Sequence, residues 1–475
     1  MPDLLNVVIL RATEWIGFAV SRQNRQVVYG FILGLSLSIA STSIAYKRRR
    51  KRLEASDISD LDSRPIELRS NEVISSGLTG LIGCGVFTVD PGNTPLVRIN
   101  SLSNVLGVEI LGKAEYLNPG GSVKDRVALR IVDDAERLGF LHPHTGSRIF
   151  EGTMGSTGIS IATVARARHV FYLFPFPIIM PDDVAEDKIK ALQVLGADVE
   201  LVRPASIVDK KQFVNLARQR AAHFGESELG SHPHLLASSS SSVVVSTSPT
   251  ASSSDSLQND GDHLRPRGYF ADQFENMSNY NAHFESTGPE IWRQTNGHVD
   301  AFVSGAGTIA GIGRYIKIMD ENVVVALADP EGSGLYNKVS VKYGVLYNTK
   351  ESEGTKRRHQ VDTIVEGIGI NRLTKNMALA LPIIDDAYRV TDEEAVSMSR
   401  YLVQHDGLFL GSTSACNLLA CVKLVKERQW KQGQVIVTIL CDSGSRHYTK
   451  FWNDEYLARA GILNDSTIVE NLLQQ

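Results

Sequence analysis

Cysteine is scarce, with Cys84, Cys416, Cys421 and Cys441 the only four in the chain, and none stands in a Cys-x-x-Cys pair or near a histidine at metal-ligand spacing. That excludes a structural zinc site and a disulfide framework, and leaves a reduced protein as the default. Charge of one sign is also lacking. A net charge of -4 provides no polyanion-binding field, so nucleic acid is not an expected partner. No internal repeat is visible, which excludes solenoids and arrays.

What the chain does have is enough apolar sequence, 43% over 475 residues, for a large core divided into lobes. Val27 to Tyr46 is a run of about twenty uncharged residues, the length of a bilayer-crossing helix, and KRRRKR follows it at once. The positive-inside rule then keeps everything after it in the cytosol. The expected organisation is an anchor with its basic flank over 1–52, a tether over 53–78, a first lobe over 79–225 and a second over 269–462, with a tail over 463–475. Between the lobes, 226–268 collapses into SSSSSVVVSTSPTASSSDS, read as a disordered insertion. Short β-branched runs such as VEILGKA, VDAFVSG and VVVALADP alternate with helical stretches such as 184–195 and 393–404. This pattern predicts α/β lobes with mostly parallel sheets covered by helices.

Three stretches carry candidate chemistry. In LNPGGSVKDRVALRI, helical spacing from Ser122 onward places Lys124 in a first turn, with Ser122 and Asp125 as a capping pair and Gly139 as the stop. Exposed amides there disfavour a second positive charge, and a partly neutral amine behind two glycines could form a Schiff base with a carbonyl cofactor. In EGTMGSTGISIATVARA, free amides and the hydroxyls of Thr153, Ser156 and Thr157 suit a small carboxylate. In VDAFVSGAGTIAGIGRYIKIMDENVVVALADP, a strand, a glycine turn and a helix suit a lone phosphate, since the glycine spacing is wrong for a dinucleotide fold.

Together with NTPLVRINSLS, IIMPDD, ALQVLGA, STGPEIW, EGIG and DEEAVSMSRYLVQHDGLFLGSTS, these strings resemble, in order, the landmarks of fold-type II pyridoxal-phosphate enzymes. The resemblance is to the cysteine synthases and cystathionine β-synthases, of fungal type, and implies a two-lobed fold with pyridoxal 5'-phosphate between the lobes. It makes Lys124 the lysine that carries the cofactor. Thr153, Met154, Ser156 and Thr157 become the substrate-carboxylate loop with Gln273 assisting. Gly305, Gly307 and Thr308 become the phosphate cup, and Ser443 the hydroxyl facing the ring nitrogen, one residue from Asp442.

The resemblance further implies cysteine formation from O-acetylserine and sulfide by a homodimer. An anchor with a basic flank is similar to those of the mitochondrial outer membrane, with the endoplasmic reticulum as the alternative. The chain also departs from the family. Ser156 replaces an asparagine, Met154 replaces a small residue, and GAGTIAG looks about three residues short. Extra residues stand at CGVFTVDPG and near FYLFPFP. Two other readings therefore stay open: a membrane-anchored pseudoenzyme with a weakened cofactor site, and a related β-elimination or cystathionine-forming activity.

Overall fold

The structure, a computed structural model, describes residues 73–74, 92–142, 145–167, 176–205, 207, 209–224, 234–237, 243–246, 266–340 and 363–474. The expected anchor, most of the tether, Cys84 and most of the extra residues lie outside that set. Among the described residues no helix is long and apolar enough to cross a membrane.

Among the described residues thirteen strands form two sheets. In chain order they are β1 (Val73–Ile74), β2 (Leu96–Arg98), β3 (Glu109–Ala114), β4 (Arg148–Gly152), β5 (Phe176–Pro181), β6 (Ala197–Val202) and β7 (His234–Ala237). They continue with β8 (Val243–Ser246), β9 (Gly268–Phe270), β10 (Ala301–Ser304), β11 (Val324–Pro330), β12 (Asp386–Val390) and β13 (Val435–Leu440). The larger sheet runs β1-β2-β3-β13-β10-β11-β12, parallel except where β2 meets β3. The smaller runs β6-β5-β4-β9-β8-β7, parallel through β9. Buried strands such as β10 and β11 are apolar on both faces, as parallel strands covered by helices must be.

Two expectations change. β2 and β3, predicted in the first lobe, belong to the second lobe's sheet, where all six residues of β3 pair with β13. Within the serine-rich stretch, predicted to be disordered, β7 and β8 pair with each other and β8 pairs with β9. β-branched Val243–Val245 supply the strand propensity that a serine count conceals.

The lobe surfaces meet around a latch. Thr449 donates its amide (2.8 Å) and hydroxyl (2.9 Å) to the Asp187 carboxylate on helix Glu186–Val194. On the same helix, Lys188 is ion-paired with Glu366, which also accepts Lys450 at 3.1 Å. Burial alone would push Glu366 up; the Lys188 and then the Lys450 ammonium outweigh it and hold the carboxyl at about 2.

Candidate active site

The lysine loop is fixed from beneath. The Val123 amide donates to the Cys441 carbonyl at 3.0 Å, and Ser122 bridges to Asp442, so the loop is stitched to the end of β13. Helix Lys124–Arg137 then opens with Lys124 itself, two residues later than the sequence suggests. The predicted capping pair does not form. The Ser122 hydroxyl accepts the Lys124 amide at 3.2 Å, while the Asp125 carboxylate turns back to the Gly120 amide and the Ser160 hydroxyl. Burial pushes the Asp125 carboxyl up to about 6.

Those contacts also give the two glycines a different role. A Cβ on Gly120 would stand 2.5 Å from the Asp125 carboxylate, and one on Gly121, whose φ is +78°, would meet the Arg446 guanidinium at 2.9 Å. They admit neighbouring side chains of the protein. The Lys124 amine is nevertheless perturbed as expected. Burial lowers its pKa, with Cys441 and Asp442 opposing the shift, so the dominant cause is lost hydration rather than the helix end.

Seven of the predicted residues, Lys124, Thr153, Met154, Ser156, Thr157, Gln273 and Gly307, line one cavity of ≈ 240 Å³. A narrower recess of ≈ 30 Å³ shares Lys124 and Ser156 with it and adds Gly305 and Thr308. The loop 153–157 closes β4 and starts helix Ser156–Ala167. Thr153 Oγ1 accepts the Gly155 amide at 3.1 Å, and the Thr157 hydroxyl donates to Gln273 Oε1. Gln273 is therefore tied to the loop it was expected to assist.

Ser443 is the exception. It lines neither space; its hydroxyl accepts the Ser445 amide at 3.3 Å and so caps the short turn Gly444–Arg446. Cys441 and Asp442 line the recess instead. Asp442 is buried, with one carboxylate oxygen 3.0 Å from His447 Nε2. Burial would raise its carboxyl, but His447 beside it, with Lys188 and Arg446 nearby, holds it below its usual range.

A phosphorylated pyridoxal group fits these residues. β10 passes into helix Ala306–Met319 through Gly305 alone, and the first amides of any helix lack intrahelical partners, so they point an anion-binding end into the recess. A Cβ on Gly307 would lie 2.8 Å from the Asn279 side chain, so glycine is needed for that close approach. Lys124 lines the same space.

Sequence reading missed two features of this neighbourhood. Lys113, Glu115, Arg126 and Glu290 form a buried ion network directly behind Lys124. His283 stands beneath Thr308, with Nε2 3.4 Å from its hydroxyl. The histidine sits between Gln273 and the string STGPEIW, where no periodic signal marks it.

Comparison with known proteins agrees with this geometry. Residues 88–442 match the family model described as pyridoxal-phosphate dependent enzyme. The chain is 49% identical over 395 residues to cysteine synthase 2 of Schizosaccharomyces pombe, covering 82% of this chain and 87% of that one. It is 46% identical over 435 residues to cysteine synthase 2 of Emericella nidulans, covering 89% and 92%. A crystal structure of a hydrogen sulfide-producing enzyme from Fusobacterium nucleatum superimposes with a TM-score of 0.56 at 24% identity, over 75% of this chain and 97% of that one, and so shares the fold. The chain belongs to the pyridoxal-phosphate dependent enzymes of fold-type II, in the company of the fungal cysteine synthases.

Proposed function

We propose that the protein forms L-cysteine from O-acetylserine and sulfide. The observation that carries this reading is that Lys124, a lysine of lowered pKa, and Ser156 line both the cavity of the hydroxyl-rich loop and the recess of the glycine cup. The names of the relatives support the product. Pyridoxal phosphate, when bound, supplies an electron sink that labilises an amino acid's α-proton and its β-substituent. The protein's residues do the rest. Thr153, Thr157 and Gln273 hold the substrate carboxylate, and Gly305, Gly307 and Thr308 hold the phosphate. Lys124 takes the α-proton, the β-carbon's bond to the acetate oxygen breaks, sulfide sulfur bonds to that carbon, and Lys124 returns the proton. Acetate leaves as HS⁻ enters, so charge and atoms balance.

Val27 to Tyr46 anchors the body on the cytosolic side, at the mitochondrial outer membrane or the endoplasmic reticulum, and the protein works as a homodimer. Protease that spares the body in intact organelles would reverse that orientation, and a monomeric mass in solution would remove the dimer.

The test of the reaction is product analysis with the purified full chain. Cysteine should form from O-acetylserine and sulfide faster than cystathionine forms from homocysteine or pyruvate from elimination. A chain that retains the cofactor but yields none of the three would be a binding protein, and the reading would fall.

Ser156 provides a graded check. Ser156 lines both spaces, where the family's asparagine would present an amide to the ring's phenolic oxygen. Ser156→Asn should tighten cofactor binding by about tenfold or more, the worth of one charge-assisted hydrogen bond, with Met154 leaving room for the longer side chain. Equal affinities for parent and variant would show that serine already fills the role.

A further inference from the structure

Helix Met277–Ala282 does not continue regularly. It passes into a π-helical turn, His283–Thr287, of the kind that concentrates at functional sites. The turn brings His283 and Thr287 to the same side, with His283 Nδ1 3.0 Å from the Thr287 hydroxyl oxygen. Nε2 of the same ring lies 3.4 Å from the Thr308 hydroxyl oxygen. Both neighbouring threonines are buried, and His283 has no exposure at all.

Close helix packing fixes the backbone that carries the imidazole. Helix Ala306–Met319 crosses so closely that a Cβ on Gly311 would stand 2.5 Å from the Tyr280 carbonyl oxygen and 2.6 Å from His283 Cβ. The ring is also neutral. Burial first, then the nearby charges of Lys124 and Arg126, holds its pKa well below the usual histidine value.

A neutral imidazole has one N–H, so the two contacts are not independent. If the Thr287 hydroxyl donates to Nδ1, the proton must be on Nε2, which donates to Thr308 Oγ1. The Thr308 hydroxyl is then free to donate its own proton into the recess. In the other tautomer Nε2 accepts that proton, and Thr308 presents lone pairs to any anion there. Only the first arrangement suits a phosphate.

We infer that His283 is a positioning residue for the cofactor phosphate, in a directed chain from Thr287 through His283 to Thr308 that aims the Thr308 hydroxyl proton into the cup. The inference rests on the reading of Gly305, Gly307 and Thr308 as the phosphate cup. It needs no statement about which nucleophile the enzyme uses.

The experiment measures dissociation constants of the apo full chain for pyridoxal phosphate and for pyridoxal, which lacks the phosphate. His283→Leu should weaken pyridoxal phosphate binding by about tenfold and leave pyridoxal within about twofold, the loss of one oriented donor to a dianion. Thr287→Val, nearly isosteric, should do the same by releasing the tautomer. His283→Gln, whose amide can donate to Thr308, should retain most of the parent affinity. In the Thr308→Val background, His283→Leu should add nothing. Equal weakening of both ligands by His283→Leu and Thr287→Val would show a packing role and overturn the inference. Should Thr308→Val weaken pyridoxal phosphate alone while Thr287→Val leaves it unchanged, the cup stands and the His283 chain falls. Should Thr308→Val spare pyridoxal phosphate, the cup and the inference fall together.

Discussion

Replacing Lys124 by alanine should lower cysteine formation by about a thousandfold or more, because one amine supplies both the covalent hold and the proton transfer at the α-carbon. The assignment does not depend on Lys124 being the sole amine in the cavity. Lys188 and Lys450 line it as well, but both are ion-paired with Glu366, and Lys450 is held above its ordinary pKa. The Lys188 amine is engaged by Glu366 and the Lys450 amine is kept protonated, so neither is a free nucleophile. For Lys124 burial acts the other way and outweighs the opposing Cys441 and Asp442, and no carboxylate forms an ion pair with it among the described residues. The loop that carries it is held by main-chain contacts to Cys441 and Asp442, so the truncated protein should fold. Borohydride reduction of the parent, followed by peptide mapping, should place the pyridoxyl label on Lys124. A label on Lys188 or Lys450, or an alanine variant that keeps a tenth of the activity, would overturn the assignment.

The parts of this molecule legible in the sequence are those governed by local chemistry. Runs such as VVVALADP declare a strand through side-chain branching, and β11 covers seven of those eight residues. The capping box of Thr391 and Glu394 fixes the start of helix Asp392–Asp406 within a residue of the reading. The glycine and hydroxyl loops were found because amides at helix starts have only a few uses. What escaped was set by pairings distant in sequence. Nothing local says that β3 will lie beside β13. Ser443 and Asp442 differ by one position, and a one-residue difference at a strand end exchanges which side chain faces the recess.

The ion network behind Lys124 is the largest of these nonlocal features, and it yields the second prediction. Arg126 donates from Nε to one Glu115 oxygen and from Nη2 to the other, each at 2.8 Å, and its Nη1 reaches Glu290 at 2.7 Å. Lys113 reaches the same Glu290 at 2.7 Å. Two cations and two anions thus balance, at 2% exposure or less. They join β3, the turn Glu115–Leu117, the lysine-bearing helix and helix Gly288–Gln294. A buried pair gives little net stability relative to well-packed apolar residues, but removing one partner strands the other, at roughly 3–5 kcal/mol. Arg126→Met leaves two buried carboxylates facing a single amine. Urea unfolding near neutral pH should show a loss of that order, whereas Arg126→Lys, which keeps the charge and loses the fork, should cost less.

The variant's pH dependence separates charge from packing. With Arg126 gone, a buried carboxylate has its folded-state pKa raised above the unfolded value, so the folded state binds more protons between the two values. Stability then rises as pH falls through the raised value, and the deficit against the parent should shrink on acidification. A deficit that stays constant from neutral pH down to the unfolded carboxylate range would mean that Arg126 acts through its packed stem. A deficit that shrinks, with Lys124 labelling restored in step, would show that the network's charge balance holds the lysine helix in register with the cup.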